Sequence, residues 1–105
     1  MSKPCIVIAI FTPKPEKSES VHQVLSDTIP LVHEEQGCEL YALHEDVDGR
    51  FVLIEKWTSR EDWRVHVGLP SVANLHKNLT GLLERDVEVL EMYGQPVGTL
   101  EQGTL

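Results

Sequence analysis

Glu55, Trp57, Trp63 and His66 lie close together in this 105-residue sequence and are of types that could do chemistry as a group. An imidazole exchanges a proton near neutral pH, so His66 could move one. Equally, it could pair with Asp62, one helical turn earlier, on a solvated face. The indoles of Trp57 and Trp63 each offer an apolar wall and one N–H donor. Asn74 could add an amide and Tyr41 a hydroxyl. Glu55 could act as an acid or bridge neighbouring strands, and a carboxylate facing the interior needs a partner. His22, His33 and His44 show no short ligand spacing such as His-x-x-x-His, so no metal site is read from them. The sequence also has no nucleophile elbow, no clear cysteine–histidine dyad and no dinucleotide fingerprint.

These side chains need a scaffold, and the apolar pattern supplies one. Cys5 to Phe11 is short, rich in β-branched residues and ends at Thr12-Pro13, which predicts a strand. Between Glu16 and Glu35 the stripe Val21, Val24, Leu25, Thr28 or Ile29, and Val32 predicts a helix. Pro30 should kink or restart it, and Gly37 should close it. Cys38–Glu45 and Arg50–Trp57, joined by the turn chemistry of Asp46-Val-Asp-Gly49, predict a hairpin. Ser59, three residues before Asp62, opens a second helix that breaks at Gly68-Leu69-Pro70 and resumes through Val72, Leu75, Leu79 and Leu82. Val87–Tyr93 closes as a strand. The order is βαββαβ, an α+β ferredoxin-like fold with a four-stranded antiparallel sheet. Residues 1–93 form one domain, and 94–105 a tail that could contact a partner subunit.

Helices on one face bury only half of a sheet, yet the first strand is apolar on both sides: Ile6, Ile8 and Ile10 on one, Cys5, Val7, Ala9 and Phe11 on the other. Exposing several large aliphatics forgoes roughly 1.5 to 3 kcal/mol each, so the expected cover is a second subunit related by a two-fold axis, making a dimeric α/β barrel. The lesser alternative is that the tail folds back over the sheet. A net charge of −8 is the wrong sign for a phosphate backbone or an anionic membrane, so neither nucleic acid nor membrane is an expected partner. The longest apolar run, Cys5 to Phe11, is far short of the ~20 residues that span a bilayer. Cys5 and Cys38 read as reduced thiols, and the expected location is cytoplasmic.

The segment from Gly49 to His66, with Glu55-Lys-Trp57 at a strand end and a histidine nine residues later, resembles the antibiotic biosynthesis monooxygenase family, which includes small quinol monooxygenases. Glu35-Gln-Gly37-Cys38-Glu-Leu-Tyr41 is similar to that family's entry into its second strand. The resemblance implies oxygenation of a quinol or aromatic phenol by dioxygen, with no bound cofactor. Glu55, Trp57 and His66 match the family's positions; His66 is the candidate base, and Trp57, Trp63, Asn74, His76, Tyr41 and Glu55 are the candidates to surround the substrate. An imidazole near about 6.5 facing a phenol near about 10 is short by ~3.5 units, or roughly 5 kcal/mol, so converging donors must stabilise the anion. Ser71-Val72 stands where many relatives carry a second histidine. The alternatives are a non-catalytic dimeric module that binds a small ligand and, further off, haem ligated by His76.

Overall fold

Apolar residues that alternate along two central strands dictate the layers of this chain. The computed structural model describes residues 3–105. Its elements are β1 (Cys5–Phe11), α1 (Ser18–His33), β2 (Cys38–Glu45), β3 (Phe51–Trp57), α2 (Arg60–Val67), α3 (Pro70–Asn78), β4 (Glu88–Tyr93) and α4 (Leu100–Gly103). The strands form one antiparallel sheet in the order β2-β3-β1-β4, the ferredoxin-like arrangement. In the β1–β3 register Cys5 opposes Trp57, Val7 opposes Glu55, Ala9 opposes Leu53 and Phe11 opposes Phe51. All eight are buried on the helix-bearing face.

Helix α1 lays Val21, Leu25, Thr28 and Val32 on that face. The Thr28 hydroxyl is satisfied within the helix by donating to the Val24 carbonyl at 2.9 Å. The expected break at Pro30 does not occur, and the helical run continues to His33. Pro30 is exposed, so water can serve the carbonyl that the missing amide leaves free. Ser59 caps α2 as its spacing predicted, its Oγ accepting from the Asp62 amide at 3.1 Å. Gly68 and Leu69 separate α2 from α3, which begins on Pro70.

The second face of the sheet is apolar, as the alternation required, and the tail lies against one end of it. Residues 94–105 include the capped turn α4, in which the Thr99 Oγ1 accepts from the Gln102 amide at 3.2 Å. Lys56 Nζ donates to the Leu105 carbonyl at 2.8 Å, and this tail segment, Ile6, Lys56 and Met92 surround a cavity of about 760 Å3. The tail therefore shelters one end of the face, where Ile6 is buried, while Ile8, Ile10, Val52 and Ile54 stay half-buried and Leu90 is exposed. Among the described residues no helix is long and apolar enough to cross a membrane.

The junction between α1 and β2 depends on Gly37, whose φ of +80° only glycine adopts cheaply. Its carbonyl accepts from the Thr58 amide at 2.8 Å, tying this turn to the start of α2, and a Cβ there would overlap the Asp62 side chain. Gly49 has a φ of +92° with open space around it. Urea unfolding should therefore show Gly37→Ala losing on the order of 2 kcal/mol and Gly49→Ala about 1 kcal/mol, because only the former adds steric overlap to the left-handed penalty.

Candidate active site

The strand parity that points Val7 and Leu53 into the core points Glu55 there as well, and α2 lays His66 over it. Only 3% of Glu55 and 5% of His66 is exposed. The partner of His66 comes from far along the chain: its Nδ1 lies 2.6 Å from Oε1 of Glu35, just beyond the end of α1. Ser71, in the first turn of α3, donates its hydroxyl to the other Glu35 oxygen at 2.7 Å. Glu35 thus engages α2 and α3 together. With a carboxylate at Nδ1 the ring carries its proton on that side, leaving Nε2 as the nitrogen available to a guest.

Trp57 donates its indole N–H to Oε1 of Glu55 at 3.0 Å. Its ring lies against His66, centroids 4.5 Å apart and planes 32° apart. Tyr41 meets both edge-on, at 6.3 Å from Trp57 and 5.7 Å from His66. His33 fixes this part of β2, its Nε2 lying 3.0 Å from the Tyr41 carbonyl. Between the sheet and α2–α3 a cavity of about 280 Å3 opens, with Tyr41, Glu55, Trp63, His66 and His76 among its lining residues and valines, Ala9, Phe11 and Leu75 supplying apolar walls.

Burial pushes the Glu55 carboxyl up to about 7, against the opposing effect of the Trp57 bond and with a smaller contribution from the Glu35 charge. Burial also raises the Tyr41 phenol, and the charges of Glu55 and Glu35 add to this, so Tyr41 stays a neutral donor. The site can therefore offer a nitrogen base, a phenolic donor and a carboxyl that holds its proton near neutrality, all in an apolar enclosure.

Five of the residues singled out from the sequence, His66, Glu55, Tyr41, Trp63 and His76, meet at this cavity, with His76 at its exposed rim. Trp57 does not line it. It is fully buried and donates to the Glu55 carboxylate. Asn74 is exposed on α3 and outside the lining, because the helix turns it away from the side that carries Val72 and Leu75. Glu35, not Asp62, partners His66, and Asp62 instead packs at Gly37. Glu35 and Ser71 were missed as site residues. The signal was present in the Glu35-Gln-Gly37-Cys38 segment, whose glutamate sits at a helix-to-strand turn where it can reach across to other elements.

The raised carboxyl has a thermodynamic consequence. Folded Glu55 keeps its proton up to about 7, whereas an unfolded glutamate releases it near 4.5. Between these values the folded state holds more protons, so raising the pH through this window lowers stability, by on the order of 3 kcal/mol once complete. Urea midpoints at pH 5 and pH 8 should fall more steeply for the wild type than for Glu55→Gln, which has no such proton.

Relatives share this architecture. Rv0793 of Mycobacterium tuberculosis is 36% identical over 90 residues, spanning 85% of this chain and 89% of its own. Its solved structure matches with a TM-score of 0.81 at 33% identity, covering 92% of this chain and 98% of that one. The crystal structure of PA3566 from Pseudomonas aeruginosa follows at a TM-score of 0.80 and 26% identity, covering 89% and 95%. A Deinococcus radiodurans protein shares the fold, with a TM-score of 0.82 at 22% identity over 91% and 97% of the two chains. The family model described as antibiotic biosynthesis monooxygenase matches residues 4–78, which with the Rv0793 likeness establishes that this chain belongs to that family.

Proposed function

We propose that this protein is a cofactor-independent monooxygenase that oxidises a quinol or aromatic phenol-type molecule with dioxygen, using His66 as the base. The observation that carries this reading is the His66–Glu35 bond at the wall of an apolar cavity. Its 280 Å3 correspond to about nine waters at ~30 Å3 each, room for one ring or a fused pair. Nε2 takes the substrate's hydroxyl proton, and Glu35 stabilises the imidazolium that forms. The Tyr41 hydroxyl, kept neutral by burial, supports the anion. The electron-rich anion then reduces dioxygen directly. One oxygen atom ends in the substrate and the other in water: a quinol plus dioxygen gives a hydroxyquinone plus water. Walls from Phe11, Val72 and Leu75 keep bulk water from the anion.

The same reading makes the working unit a cytoplasmic homodimer. The half-buried aliphatics Ile8, Ile10, Val52 and Ile54, continued by exposed Leu90, favour a second copy over the part of the sheet that the tail leaves open. Cys5 and Cys38 are free thiols, in keeping with a reducing compartment.

Oxygen uptake with menadiol, corrected for autoxidation, tests the chemistry. His66→Ala should lower the rate by about 10²-fold or more, and Glu35→Gln by a smaller factor, since the ring survives without its orienting partner. An unchanged rate in His66→Ala would remove that residue from the mechanism, and tight ligand retention without turnover would point to a binding module instead. In sedimentation the full chain should run at twice its 11.8 kDa subunit mass and Ile54→Arg at the single mass.

A further inference from the structure

We propose that Glu55 is a second catalytic proton group, the acid that delivers a proton to the departing oxygen when the substrate hydroperoxide collapses to its carbonyl product. The step rests on the oxygenase reading above and assigns a residue to its second half.

The geometry of the carboxyl points to this role. Glu55 Oε1 accepts from the indole of Trp57, a group that donates only and is fully buried, so water cannot replace it. A donor fixed on Oε1 directs the acid proton to Oε2. That oxygen has no protein partner among the described residues, and the side chain lines the cavity. Among the described residues, no lysine or arginine lines the cavity to favour the ionised form. The titratable and charged groups on the elements around Glu55 are Glu35 after α1, Cys38 and Tyr41 on β2, Cys5 on β1, His66 on α2, His76 on α3 and Glu91 on β4. Arg60, at the start of α2, is bound to Glu91 at 2.7 Å, and His66 is bound to Glu35. A buried carboxyl in such surroundings retains its proton, in agreement with its raised value of about 7. His66 and Glu55 therefore enter the cavity as separate proton groups, each already oriented by a different partner.

The step balances without an added reductant. Once dioxygen has added to the ring carbon, the imidazolium of His66 returns its proton to the peroxide oxygen, giving the hydroperoxide and a neutral ring. Glu55 then protonates the distal oxygen as the O–O bond breaks, and that oxygen leaves as water. The C–H electron pair becomes the second C–O bond of the carbonyl, and the C–H proton passes to His66 Nε2. Proton return from His66 to the Glu55 carboxylate resets the site.

Glu55→Gln preserves the size of the side chain and the acceptor for Trp57 but holds no acid proton. With menadiol, the wild type should consume one dioxygen per hydroxyquinone formed and lose activity as the pH rises past about 7. The variant should still consume oxygen but form at least tenfold less hydroxyquinone per oxygen, release peroxide that catalase returns as oxygen, and lack the alkaline limb of the profile. One-to-one product formation with an unchanged pH profile in Glu55→Gln would overturn the proposal while leaving the oxygenase reading intact. Oxygen uptake by the wild type no faster than autoxidation would overturn both. Infrared spectra of the wild-type protein give a readout that does not depend on the variant folding: a protonated-carboxyl band sensitive to deuterium exchange should persist at pH 6, and its absence would equally overturn the assignment.

Discussion

The contact between Glu35 and His66 is the constraint around which the rest of the structure is arranged. A carboxylate beyond the end of α1 reaches a ring on α2 and a hydroxyl on α3, 31 and 36 positions away along the chain. Burying a charge in such a place costs several kcal/mol unless each of its lone pairs is met. Here one oxygen faces the imidazole and the other faces Ser71. Gly37 must then turn left-handed to send β2 into the sheet at once, and Thr58 must anchor on the Gly37 carbonyl so that α2 starts beside the turn. The break at Gly68 and Leu69 serves the same end, since an uninterrupted helix would carry Ser71 past Glu35.

A second carboxylate shares this interior under the opposite regime. Glu35 is partnered on both oxygens, whereas Glu55 has a single neutral donor and is more deeply buried. Two ionised carboxylates close together in an apolar region repel, and the strain is relieved most cheaply where desolvation is greatest, which is at Glu55. One residue type therefore serves as the orienter of His66 and as a proton-bearing group in the same interior. The difference comes from environment alone.

This explains what could be read from the chain beforehand. Strand and helix periodicities are local, and the βαββαβ order, the Ser59 cap and the helix break at Pro70 followed from them. The inward parity of Glu55 was legible too, because Leu53 and Trp57 flank it on the same face. Depth was not. Parity places Trp57 and Glu55 together, but only the packed structure shows the indole fully buried and donating to the carboxylate. Asn74 illustrates a readable signal overlooked: it stands two residues after Val72, about 200° around the helix, while His76, four after Val72, returns to the buried side. The Glu35–His66 pair spans 31 positions and has no periodic signature, so Asp62, the carboxylate one turn away, looked like the natural partner.

The tail shows how a sheet with two apolar faces can be served by unlike covers. The stretch from 94 to 105, the lesser candidate for a cover, shields only one end of the face. It reaches Ile6 and Met92 by folding one capped turn and anchoring its last carbonyl on Lys56. Val97, Leu100 and Leu105 remain exposed on the tail itself. The tail thus shelters one end of the face and adds exposed apolar side chains of its own. The dimer proposed above buries that surface on the side of the sheet away from the cavity. Pairing there leaves the space beneath the helices, with its imidazole and carboxyl, free for a guest.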